Sequence, residues 1–200
     1  MLTLYYAPGA CSLASHIVIR EAEMNCQYEK VDLRKKTYGD GRDYLAINPR
    51  GAVPAIGLPG GGVLTQNVAV LPWLGEHSGV AAFTPAPGIG RARLLEALGF
   101  CEDVHAALGP LFAPDLPDAA RARLKSAAGR RMGQVEASIG GREFLLESGF
   151  SQADVLLAVV LGWEKPLGLD FSPWPKAVGL RDRVLSRPAA RAAMAEEGLI

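Results

Sequence analysis

Net charge is the first thing this 200-residue sequence lacks: 21 lysines and arginines balance 21 aspartates and glutamates. A balanced chain exerts no bulk pull on nucleic acid or on an anionic membrane, and neither partner is expected. Cysteine is scarce. Cys11, Cys26 and Cys101 are an odd number, with no metal-type pairing and no CxxC, so no metal and no internal dithiol cycle are expected, and a cytoplasmic, reducing setting is the simplest account. No apolar run reaches membrane-spanning length, and the N-terminus lacks the basic, apolar and small-residue order of a secretory signal. Internal repeats and low-complexity tracts are missing too. What remains is an ordinary globular composition, 49% hydrophobic and 21% charged. It suits one compact unit or two modest subdomains.

The texture changes near residue 80. LTLYY (2–6) is short, apolar and aromatic, as a buried strand should be. SLASHIVIREAEM (12–24) carries Leu13, Ile17 and Met24 roughly on one helical face, and QYEKVDL (27–33) alternates as a strand. Together they read as a β-α-β unit with parallel strands. A short helix is expected near 41–47, then a hairpin of VPAIGL and GVLT around Gly60–Gly62. Helix 67–79 follows, with Asn67 as a plausible N-cap and Pro72 as an expected kink. VAAFTPAPG is a candidate linker at about 79–88.

Every later segment prefers helix. Leu124, Ala128, Met132, Val135 and Ile139 recur at the 3.6 period, and ADVLLAVVLGW is apolar nearly all round, as a central helix would be. Ser151 and Asp154 form a capping box, flanked by Phe150 and Val155 at hydrophobic-staple positions.

Chemistry concentrates in the first eighty residues. Cys11 stands at the start of the first helix, where free N–H groups and partial positive charge favour thiolate. A lone cysteine can equally be packing. Pro54 in GAVPAI requires an edge, a bulge or a cis turn; a cis Val53–Pro54 bond would free Val53 to pair with an extended peptide. Gln66 and Asn67 sit where a strand hands over to a helix, which favours a carboxylate, although a plain N-cap also accounts for Asn67. Lys35 and Lys36 are loop cations that could meet a second carboxylate. His105 could act as a proton donor or thiol partner across a cleft, and His16 lies about a turn and a half beyond Cys11.

Taken together, YYAPGACSLASHIVIRE, KVDLRKKTYGDGRDYLAINPRGAVPAI, LTQNVAV, FSQADVLLAVVL and RPAARAAMAEEGL resemble a cytosolic glutathione transferase, most like the bacterial beta class. The resemblance spans essentially the whole chain. It implies a glutathione transferase fold: a thioredoxin-like α/β N-terminal domain (1–80) and an all-α C-terminal domain (88–200) that contributes the electrophile pocket. It also implies a homodimer, with glutathione as co-substrate and a small hydrophobic electrophile as partner.

Residue by residue, Cys11 matches the class's cysteine, able to form a mixed disulfide with glutathione. Ala10, Leu33 and Lys36 line the peptide, Val53 pairs with its cysteinyl backbone, and Pro54 is the cis proline. Gln66 and Asn67 take the γ-glutamyl end. Catalysis would fall to Cys11, Ser12 and His105, with N–H groups near Cys11 and Ser12 lowering the pKa of the bound thiol. The electrophile is expected between the domains, near Phe112, His105 and Trp163.

The sequence departs from the class where Gln66–Asn67 replaces Glu followed by Ser or Gly, which weakens an ion pair to the ligand's amino group. Leu98 and Gly99 stand where an Asn normally precedes the histidine, and Ala106 stands where a basic residue follows it. Conjugation to glutathione is the expected activity. Glutathione-dependent thiol–disulfide exchange through Cys11, of glutaredoxin or peroxidase type, and a non-catalytic ligand-binding module of the same fold are the alternatives.

Overall fold

The strand signals at the N-terminus assemble as one mixed sheet in a computed structural model that describes all 200 residues. Leu2–Tyr6 form β1, which buries Leu2 and Leu4. Leu13–Glu21 form α1, and Cys26–Asp32 form β2. β1 and β2 pair in parallel from Leu2 opposite Cys26 to Tyr6 opposite Lys30, completing the β-α-β unit.

The segment expected as a short helix near 41–47 divides instead. Thr37–Tyr38 (β3) and Arg42–Asp43 (β4) pair as a minimal hairpin. The Asp43 carboxylate then accepts from the Leu45 N–H at 2.8 Å, which leaves a single 3₁₀ turn at Tyr44–Ala46. Pairing of Tyr38 with Arg42 draws 42–43 into the sheet.

Ala55–Gly57 (β5) runs antiparallel to β1, and Val63–Thr65 (β6) runs antiparallel to β5. Their hairpin turns at Gly61 and Gly62, whose φ of +90° and +86° suit glycine. The strand order is β4-β3-β2-β1-β5-β6. Asn67–Ser78 form α2, with the buried Pro72 inside it. The N-cap is Gln66, one residue before the expected Asn67: the Gln66 carbonyl accepts from the Val70 N–H at 2.8 Å, so Asn67 is already inside the helix.

Ile89–Leu108 (α3), Asp118–Ile139 (α4), Gln152–Leu161 (α5) and Pro175–Leu185 (α6) make up a second compact unit, Ala86–Leu185. All ten residues of α5 are buried, with α3 and α6 packed on it. The capping box forms as expected: both Ser151 N–H and Ser151 Oγ lie 2.8 Å from Asp154 Oδ2. Of the expected stripe on α4, Ala128, Met132, Val135 and Ile139 are buried, while Leu124 is half-exposed.

The final helix, Pro188–Glu196 (α7), departs from the expected run of 88–200. It clusters with Met1–Pro85 in the first unit. The reason is chemical. Ala190 and Ala193 are fully buried, and side chains this small let α7 lie close against α1. At its start, Arg187 grips Glu21 with two hydrogen bonds of 2.6 and 3.0 Å.

Candidate active site

The chain leaves β1 through a tight turn. The Ala10 N–H donates to the Ala7 carbonyl at 3.0 Å, with Pro8 and Gly9 between them and Gly9 at φ +71°. Proline followed by a positive-φ glycine is the pattern of a type II turn. Ser12 locks this turn to the helix, since its Oγ accepts from the Ala7 N–H at 3.2 Å and faces the Ala7 carbonyl at 3.3 Å. The Ser12 hydroxyl thus faces inward and is fully buried. Ser12 also has helical backbone angles. Turn-type bonding begins one or two residues before the expected start at 12, with the Leu13 and Ala14 N–H groups bonded to the Ala10 and Cys11 carbonyls.

Cys11 is 6% exposed, and its thiol donates to the Val53 carbonyl at 3.3 Å. Ala10 and Leu33 flank a small apolar cluster that contains Ala7, Val31, Tyr44, Val53 and Ala55. The candidates Ala10, Leu33 and Val53 therefore converge although they are up to 43 positions apart (53 − 10).

The Val53–Pro54 bond is cis. The residues before it are held from three directions. Lys36 Nζ donates to the Gly51 carbonyl at 2.9 Å, and the Ala52 carbonyl accepts from Tyr44 Oη at 2.8 Å and from Asn48 Nδ2 at 2.7 Å. Gly51 is required here. Its φ is +59°, and a Cβ on it would lie 3.0 Å from the Lys36 stem and 3.1 Å from Leu45. Lys35 points away, 79% exposed and 4.0 Å from Asp32.

β5 pairs Ala55 with Thr65, so the next positions outward on the two strands are Pro54 and Gln66. Gln66 has φ +73°, and Lys36 has φ +58°. Strained non-glycine backbone gathers at functional sites. The third such residue, Glu23, ends α1, where a left-handed cap is common. Asn67 is buried at the first turn of α2.

In the second unit, His105, Phe112 and Trp163 come together. The His105 ring lies edge-on to Trp163 at 5.2 Å, and Phe112 lies edge-on to the same indole at 5.3 Å. His105 Nδ1 is 3.0 Å from Glu102 Oε2. Phe112 is 49% exposed, whereas Trp163 is buried.

The other two thiols are quiet. Burial pushes Cys26 up to about 11, and burial drives the fully enclosed Cys101 thiol well above its ordinary range. Sequence reading missed the partners that hold the site: Lys36 on Gly51, Tyr44 and Asn48 on Ala52, and Glu197 on Gly9 at 2.9 Å. Only the last had a signal, two glutamates at the end of a helix.

Residues 103–188 match the model of the glutathione S-transferase C-terminal domain. Glutathione S-transferase GstA of Escherichia coli O157:H7 is 32% identical over 99% of this chain and 100% of its own length. A glutathione transferase structure from Methylococcus capsulatus is 41% identical over the full length of both chains, with a TM-score of 0.94. Two sphingomonad structures are each 36% identical over 99% of this chain and 100% of theirs, also with TM-scores of 0.94. One is the bacterial beta-class glutathione S-transferase of Sphingomonas chungbukensis, and the other is a complex with glutathione. Similarity of this extent, end to end, places the chain in the bacterial beta class of the glutathione S-transferases.

Proposed function

We propose that this glutathione transferase conjugates glutathione to small hydrophobic electrophiles, with the tripeptide bound on the first unit. The observation that carries this reading is the convergence of the Cys11 thiol and the Val53 carbonyl, 3.3 Å apart, beside Ala10 and Leu33. The Val53 main chain pairs with the cysteinyl residue of glutathione, the Gln66–Asn67 turn takes its γ-glutamyl end, and Lys36 faces its other carboxylate. The turn carrying Cys11 and Ser12 receives the sulfur. There the glutathione thiol loses its proton and attacks an electrophilic carbon; a C–S bond forms while the leaving group departs with its electron pair. His105, Phe112 and Trp163 supply an apolar pocket with one proton-transfer group. The same reading includes a homodimer, on the strength of the family, and a cytoplasmic location, which three cysteines outside any disulfide suit.

Thiol–disulfide exchange is the second reading. It is favoured by Cys11 alone standing at the site turn while Cys26 and Cys101 are held as thiols by burial. In exchange, the Cys11 thiolate attacks a glutathionylated disulfide, forms a mixed disulfide and expels the partner thiolate. Retention on immobilised glutathione and turnover of an aromatic halide test the main reading. Failure to bind glutathione would sink it. Cys11→Ala separates the two activities: conjugation survives and exchange disappears.

A further inference from the structure

Glu196 and Glu197 close α7 at the end where a helix carries partial negative charge, so local electrostatics disfavour both. Tertiary partners explain them. Gly198, at φ +72°, ends the helix in a Schellman turn: its N–H bonds the Ala195 carbonyl at 3.0 Å, and the Leu199 N–H bonds the Met194 carbonyl at 2.9 Å. That turn fixes Glu197 as the C-cap and directs its fully buried side chain toward β1 and α1.

One Glu197 oxygen accepts from the Gly9 N–H at 2.9 Å, and the other lies 3.0 Å from His16 Nδ1. His16, only 1% exposed, places Nε2 2.8 Å from Glu196, which Arg20 also grips at 2.6 Å. A neutral imidazole donates from one nitrogen alone. Here carboxylate oxygens face both ring nitrogens. Leu199 then covers the turn, since a Cβ on Gly9 would lie 3.4 Å from its methyl.

Gly9 belongs to the turn that delivers Cys11, and 188 positions separate it from Glu197. We propose that Glu197 is a positioning residue: through the Gly9 N–H it holds the Pro8–Cys11 turn in the conformation that receives the glutathione sulfur, so the C-terminal tail sets glutathione affinity. The proposal rests on the reading that this turn is the sulfur site. A hydrogen bond to a buried carboxylate is among the stronger ones, and its direction is fixed by the Schellman turn. The tail contact therefore bears on the glutathione turn from within the first unit.

The experiment is steady-state kinetics with glutathione and an aromatic halide, together with calorimetric titration of glutathione, on the full chain and on Glu197→Ala, Glu197→Gln and Leu199→Ala. Glu197→Ala should raise both KM and Kd for glutathione about tenfold, with kcat and the halide KM within about twofold. Glu197→Gln keeps an oxygen that accepts from Gly9 and should return glutathione affinity to within about threefold of the parent. Leu199→Ala should weaken glutathione binding about twofold. An unchanged glutathione KM in Glu197→Ala overturns the proposal. So does a parallel loss of kcat, both KM values and thermal stability, and so does Glu197→Gln as impaired as the alanine variant. If Glu197→Ala does not fold, Leu199→Ala decides, and an unchanged glutathione Kd overturns the proposal. Absence of glutathione binding by the parent chain would refute the glutathione site itself instead.

Discussion

Replacing Lys36 separates stability from ligand binding in a way that tests how the Val53 peptide is held. Its ammonium donates to the Gly51 carbonyl at 2.9 Å, its stem packs on Gly51, and its backbone sits at φ +58°. A hydrogen bond from a charged donor contributes about 1.5–3 kcal/mol when enclosed, and at this half-exposed position about 1 kcal/mol. A left-handed backbone costs a non-glycine residue about 1 kcal/mol. Lys36→Met keeps the stem and the strain but loses the ammonium. It should therefore lose about 1 kcal/mol, lowering Tm by roughly 2–4 °C. Lys36→Gly loses the same bond but relieves the backbone, so its stability should stay near that of the parent.

Both variants free the Gly51–Val53 segment, and both should raise the KM for glutathione about fivefold, the equivalent of about 1 kcal/mol. A direct ion pair from Lys36 to a ligand carboxylate would enlarge that effect. Thermal unfolding followed by circular dichroism and initial rates at varied glutathione provide the two readouts. A Lys36→Gly protein with parental Tm and parental KM would refute the idea that this ammonium organises the site.

Cys11→Ala should retain conjugation of an aromatic halide while losing mixed-disulfide formation with glutathione, as read by intact-mass spectrometry. Iodoacetamide at neutral pH should leave Cys26 and Cys101 unlabelled over the time in which denatured protein reacts fully, because burial holds the first at about 11 and the second well above its ordinary value. Asp154→Ala strips the acceptor from the Leu145 and Ser151 N–H groups, bonded at 2.7 and 2.8 Å, and should cost about 2–4 kcal/mol in denaturant titration. Burial alone would lift the Glu196 carboxyl, but hydrogen bonds and charge from Arg20 and His16 outweigh it and hold the group below its ordinary 4.5. A lowered folded value contributes stability above pH 4.5 that is lost as pH falls through it. The Tm difference between the parent and Glu196→Gln should therefore be full at pH 7 and shrink in acid.

Signals confined to a few neighbouring residues are legible in the amino-acid order itself. The β-α-β unit, the Gly60–Gly62 hairpin and the Ser151–Asp154 capping box each depend on spacing within one turn or one strand pair. The same locality limits what can be read at 41–47. Helical spacing there competes with pairing of Tyr38 and Arg42, and the sheet prevails.

The site divides along the same line. Its residue types, Cys11 after a Pro-Gly turn, Val53 before a proline and Gln66–Asn67 before a helix, follow from the sequence because turn and cap chemistry is local. Their support does not. Lys36 on Gly51 and the docking of α7 on α1 arise only when segments apart in the sequence meet. Glu197 is the clearest instance. Two glutamates at a helix end are locally unfavourable; what reconciles Glu197 is a hydrogen bond from Gly9 across 188 positions, and what reconciles Glu196 is its contact with His16 and Arg20. Sequence determined which chemistry this chain presents; tertiary packing alone decided which groups hold it in place, because those partners are chosen by proximity in space.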